Sequence, residues 1–241
     1  MLLKSGIVYS AEMYDKNYDK NDNEESQLDK ALTHFDNSEY IKATLLFKKI
    51  LKKNPLCDRA RYQLAATYHL TKKNKLALLE LHKIKTDPEI KQMSSLLMGN
   101  ILLEEKKWNE ALEIWLQLPK GNPDLKSMSY NGLAQSYEGL GQPSKAADAW
   151  SDYQSIQLKP LNEIFLKIAG LRVKAHELDK AFAYCRETQL FKDHKSIQEI
   201  CNANVHLANG DKKQAMISAQ AALAIDQYNK DAKKMLESLN K

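Results

Sequence analysis

Small apolar residues recur along this chain at an interval much longer than a helix or strand period. Ala43, Ala77, Ala111, Ala146, Ala181 and Ala215 follow one another at spacings of 34, 34, 35, 35 and 34 residues. Twelve residues ahead of each stands another small residue: Ala31, Ala65, Gly99, Ala134, Ala169 and Ala203. Four residues after each, on the same helical face, come Phe47, Leu81, Trp115, Trp150, Cys185 and Ala219. Small side chains at two fixed points per interval let two helices approach where larger groups would collide. A period of this length, kept over six alanines, indicates an array of repeated units in which each touches its neighbours, with no single deep core.

Further positions share the register. Nine residues before each alanine come His34, Tyr68, Leu102, Tyr137, Arg172 and His206, and turn prolines close four units at Pro55, Pro88, Pro123 and Pro160. On these residues the chain resembles the tetratricopeptide repeat (TPR) family, whose unit is a helix–turn–helix. The resemblance covers roughly Glu24 to Asn229. It is strongest in units two to four, as in Leu64-Ala65, Tyr68 and Ala77, or Tyr130, Leu133-Ala134, Tyr137, Gly141, Ala146 and Trp150. Units five and six depart from it at Arg172, Cys185, His206 and Ala219. The implied fold is an all-α, right-handed α-solenoid of about six TPR-like units with a C-terminal capping helix.

The expected units span about residues 24–57, 58–90, 92–125, 127–160, 162–195 and 196–229. Their inner turns fall at Asn37-Ser38, Lys72-Lys73-Asn74, Lys106-Lys107, Gly141-Gln142-Pro143, His176–Asp179 and Gly210-Asp211. Residues 230–241 carry Ala232, Leu236 and Leu239 on one face and charges on the others, the pattern of a polar-backed cap. Residues 1–23 form the expected disordered tail, because a run such as YDKNYDKNDNEES cannot bury enough apolar surface to offset its ordering entropy. Asp15, Asn17 and Asp19 imitate the start of a calcium loop, but Lys20 and Ser26 stand where that loop needs glycine and glutamate.

Composition narrows the function classes. The chain is 43% hydrophobic and 28% charged, with a formal net charge of +5, modest for a dedicated nucleic-acid binder. Lysine pairs at 48–49, 52–53, 72–73, 106–107 and 233–234 fall at turns or outer faces among acidic residues, leaving RNA contact as a weaker alternative. No apolar run reaches the ~18 residues of a membrane span. Cys57, Cys185 and Cys201 lack CxxC spacing and are expected as reduced thiols in a cytoplasmic protein, although Cys185 and Cys201 fall on successive helices and could be neighbours. Met1–Ala11 is too short for a secretory signal and carries Lys4 in the wrong place, so a periplasmic or membrane-associated location would need a start upstream of Met1.

No catalytic or cofactor motif is present: the six histidines lack metal spacing, and there is no HExxH, GxSxG, Walker loop or GxGxxG. His34 and His206 occupy the slot of Tyr68 and Tyr137 and are expected as packed core groups. The resemblance implies instead a non-catalytic scaffold or adaptor, whose first helices line a concave groove for an extended or helical segment of another protein. By register that groove carries Arg59, Tyr62, His69, Met93, Leu96, Asn100, Met128, Asn131, Gln135, Glu138 and Asn204. The amides would pair with a peptide backbone and the methionines would give an adaptable apolar floor. The carboxylate clamp of the chaperone-tail subfamily is not matched, since Leu28 and Leu32 replace its lysine and asparagine. An exported assembly factor is the alternative role, and self-association stays open.

Overall fold

Each frame alanine is fully buried, at 0% exposure for Ala43, Ala77, Ala111, Ala146, Ala181 and Ala215 alike. In the computed structural model, which describes residues 22–118, 123–157, 162–187 and 195–240, these alanines sit where paired helices meet. The described residues form helices and no strands. In chain order they are α1 (Asp22–Asp36), α2 (Tyr40–Lys53), α3 (Asp58–Leu70), α4 (Asn74–Leu81), α5 (Pro88–Glu104), α6 (Trp108–Gln117) and α7 (Pro123–Gly139). There follow α8 (Pro143–Ser155), α9 (Asn162–Lys174), α10 (Leu178–Glu187), α11 (Lys195–Ala208), α12 (Lys212–Ile225) and α13 (Lys230–Leu239). The all-α expectation is met. The tail expected at residues 1–23 lies outside the described residues except for its last two, which begin α1.

One turn design closes every helix pair. Three residues separate the two helices, and the middle one, Ser38, Lys72, Lys106, Gly141, His176 or Gly210, has φ between 58° and 86°. Its N–H donates to the carbonyl three residues back and the next N–H to the carbonyl five back, as in Lys106 to Leu103 (3.0 Å) and Lys107 to Leu102 (2.9 Å). These are the two bonds of a Schellman cap, which satisfy carbonyls that the helix end leaves unpaired. The frame alanine then donates to that next residue's carbonyl, as Ala111 does to Lys107 at 2.9 Å, and the second helix starts. Cap and frame residue are therefore five positions apart in all six pairs.

The chain divides into two compact units, residues 1–86 and 87–241. In the first, α2 packs against α1 and α3, and α3 against α4. Phe47 and Ile50 of α2 are buried. Buried Asp58 accepts from the Thr86 N–H (2.7 Å) and hydroxyl (2.6 Å), so the start of α3 holds the segment that leaves α4. Arg61 and Glu80 pair at 2.8 Å between α3 and α4, both largely shielded from water.

In the second unit, α5–α13 pack along the sequence, each against its neighbours, and first helices also touch at α5–α7 and α9–α11. Asp87 caps α5 by accepting from the Glu89 and Ile90 N–H groups, with Pro88 in the first turn. Trp115 is buried, and Ser129 donates to its carbonyl at 2.9 Å. Arg172 of α9 pairs with Asp148 of α8 and with Glu177 ahead of α10. At the far end, Asn229 donates to Ser196 (2.6 Å), Ser196 donates to the Ala222 carbonyl (3.2 Å), and Ala232 of α13 is buried.

The expectation of three reduced thiols is corrected here. Cys185 and Cys201 form a disulfide between α10 and α11, inside a core with Ala169, Ala181 and Val205. Cys57 stands outside it. Buried Cys185 holds the position that Trp115 and Trp150 hold two and one units earlier. The two histidines expected in the core are half-buried: His206 packs on Phe182, and His34 pairs with Glu39.

Candidate functional site

The face expected to meet a partner belongs to the first helix of each pair. In the first unit that helix is α3, enclosed by α1, α2 and α4. Enclosure leaves Tyr62 at 8% and His69 at 4% exposure, and His69 Nδ1 lies 3.0 Å from Asn74 Oδ1 across the turn. These two side chains have little surface left for a partner. Arg59, half-buried, keeps more.

In the second unit, α5 brings Met93 and Asn100 to half-buried positions, while Leu96 is 6% exposed and turned into the packing. Helix α7, packed on α5, carries Met128, Asn131, Gln135 and Glu138. Gln135 is exposed, and its Nε2 donates to Oδ1 of Asn131 one turn earlier. An amide has two donors and a two-lone-pair acceptor, so this bond leaves the pair with further donors and an acceptor. Asn204 on α11 uses one amide proton on the Ile200 carbonyl at 2.8 Å. Two amides one turn apart on α7 can pair with an extended backbone and so accommodate varied side chains.

Glu138 has a different setting. One carboxylate oxygen accepts from Trp150 Nε1 at 2.6 Å and from Lys167 Nζ at 2.7 Å, and Lys167 lies over the Trp150 ring at 4.2 Å. Helices α7, α8 and α9 are thus braced by one acid, one base and one indole. Lys167 was not legible from spacing, because its partners stand 29 and 17 positions away with no motif between them. Lys174, at the end of α9, is exposed. Among the described residues no three His, Cys, Asp or Glu side chains are placed to hold a metal ion. Nor is any described helix long and apolar enough to cross a membrane.

No family model matches the chain. No curated protein matches it either. Solved structures do. PilF of Pseudomonas aeruginosa aligns with 89% of this chain and 97% of its own at 16% identity, with a TM-score of 0.55. PilW, described as a widely conserved type IV pilus biogenesis factor, aligns over 90% of this chain and 100% of its own at 17% identity and TM-score 0.53. YrrB, described as a TPR protein with an unusual peptide-binding site, aligns over 79% and 97% at 15% identity and TM-score 0.54. At these identities the likeness establishes the fold: the chain has the tetratricopeptide-repeat architecture.

Proposed function

We propose that this protein is a non-catalytic interaction scaffold that holds a segment of a partner protein on the first-helix face of residues 87–240. The observation that carries this reading is the Asn131–Gln135 amide pair on α7, in which Gln135 is exposed and Asn131 half-buried. Backbone recognition by side-chain amides suits an extended segment whose own side chains vary. The peptide-binding site described for YrrB supports a comparable use of the fold. The test is to replace Asn131 and Gln135 together by alanine and compare proteins co-purifying with each form from the native cell. A partner retained by the natural chain and lost by the variant, at unchanged thermal midpoint, supports the scaffold. Equal retention by both removes the amides from binding.

The Cys185–Cys201 disulfide favours a second reading, an assembly factor working in an oxidising envelope compartment. The role of PilW as a type IV pilus biogenesis factor fits that setting. Alkylating free thiols at the moment of cell lysis, then mapping peptides by mass spectrometry, tests it. A linked Cys185–Cys201 peptide supports an oxidising location, and two alkylated cysteines refute it.

A further inference from the structure

Residues 1–86 carry a second surface that owes nothing to the first-helix face. On α2, Ile41 is 81% and Leu45 63% exposed; on α4, Leu76 is 43% and Leu79 53% exposed. Leu45 and Leu79 each stand two residues after a frame alanine, so they hold the same position in successive repeats and emerge on the same side. The repeats themselves show that the fold does not require leucine there. The equivalent position is Glu113 in the third repeat and Asp148 in the fourth, both exposed. Ile41 lies one turn before Leu45, and Leu76 one turn before Leu79, so the four side chains extend along two helices.

Lysines surround them. Helix α2 has five lysines and no carboxylate in YIKATLLFKKILKK, of which Lys42 pairs with Glu39 at 3.1 Å, and Lys75 precedes the leucines of α4. The acid of α4, Glu80, is neutralised by Arg61 and Lys83 at 2.8 Å each. Apolar side chains standing out of a basic field match the make-up of a helix face that lies on an anionic bilayer, where aliphatic groups enter the acyl boundary and ammonium groups reach phosphates.

We infer that the α2–α4 face, through Ile41, Leu45, Leu76 and Leu79 and the lysines around them, docks this protein on an anionic lipid surface. A second copy fits less well, since two-fold pairing would set the lysines of one α2 against those of the other. Nucleic acid would use the lysines but gain nothing from four aliphatic side chains.

Co-sedimentation of the full chain with vesicles tests the inference, using phosphatidylcholine mixed with phosphatidylserine against phosphatidylcholine alone. The expected result is binding to the mixed vesicles only, weakened by salt. Leu45→Gln with Leu79→Gln, and separately Lys49→Glu with Lys52→Glu, should each weaken it roughly tenfold or more at unchanged thermal midpoint. Failure of the natural chain to bind mixed vesicles at low salt would overturn the inference. Full binding by the glutamine variant would overturn it too. So would a self-association, dissolved by the same glutamine pair, that proceeds without lipid.

Discussion

The Trp115 indole lies against Gly132 so closely that a Cβ built on the glycine would stand 2.2 Å from the ring atom Cε2. On its other side the same ring approaches Gly99, where a Cβ would meet Cζ2 at 2.5 Å. One large side chain from α6 thus fills space left by missing side chains on α5 and α7. The Trp115 side chain is only 1% exposed. Gly132→Ala should therefore destabilise the fold by about 1–3 kcal/mol in a urea titration, despite alanine's better helix propensity. Gly170→Ala, in α9 with open space around the new methyl group, should be stabilising by about 0.5–1 kcal/mol. Equal effects at the two sites would mean that the ring does not confine Gly132.

The shared turn yields a second prediction of opposite sign at equivalent positions. Lys106 and Gly141 occupy the same left-handed slot, with φ of 58° and 66°. A side chain there brings its Cβ close to the backbone carbonyl, whereas glycine has none. Lys106→Gly should raise stability by about 0.5–1 kcal/mol and Gly141→Ala should lower it by about 1 kcal/mol, both read from denaturant midpoints. Space is not the cause at Gly141, where nothing lies within 4 Å of an added Cβ.

Acid should weaken the second unit through Glu177. Hydrogen bonds from Lys180, then Arg172 and Ser144, lower its pKa from 4.5 to about 2. A folded-state pKa below the unfolded one stabilises the fold above the unfolded value, and the contribution is lost as pH falls through the folded value. Its loss should therefore run from about pH 4.5 down to about pH 2. Glu177→Gln should be less stable at neutral pH and show a shallower acid slope in that window, measured by thermal midpoints across pH. An unchanged slope would place the acid sensitivity elsewhere.

The disulfide makes a fourth prediction. It closes a sequence separation of 16 residues between α10 and α11. A loop of that size is worth about 3 kcal/mol of lost unfolded-state entropy. Reduction should lower stability by about that order, and Cys185→Ala with Cys201→Ala by more, since the variant also removes two sulfur atoms from the core. A reductant-insensitive melting curve would show that the bond is not formed in solution.

What the sequence revealed was whatever the backbone must repeat. A left-handed cap needs its turn at one place, and two helices that cross closely need Ala43 or Ala111 at another, so spacing alone located them. Side-chain surroundings were less legible. Extending one register along every first helix put Tyr62, His69 and Leu96 on the candidate face, but α3 and α5 are flanked by other helices that cover those positions. Glu138, assigned to the same face, reaches Trp150 and Lys167, partners that only three-dimensional packing brings within range. Asn131 and Gln135, one turn apart on a single helix, needed nothing more than helical geometry to be paired.

Within residues 87–240 each helix packs on its neighbours in sequence, so the last helix has one side to lose and loosens most easily. The Cys185–Cys201 bond sets a limit on that fraying at the C-terminal end. Helices α12 and α13 can open and reclose on their own, but α11 stays tethered to α10 through each such event. Amide hydrogen exchange should consequently step down sharply on passing inward across Cys201, with the bond acting as a ratchet between a breathing tip and a quieter interior.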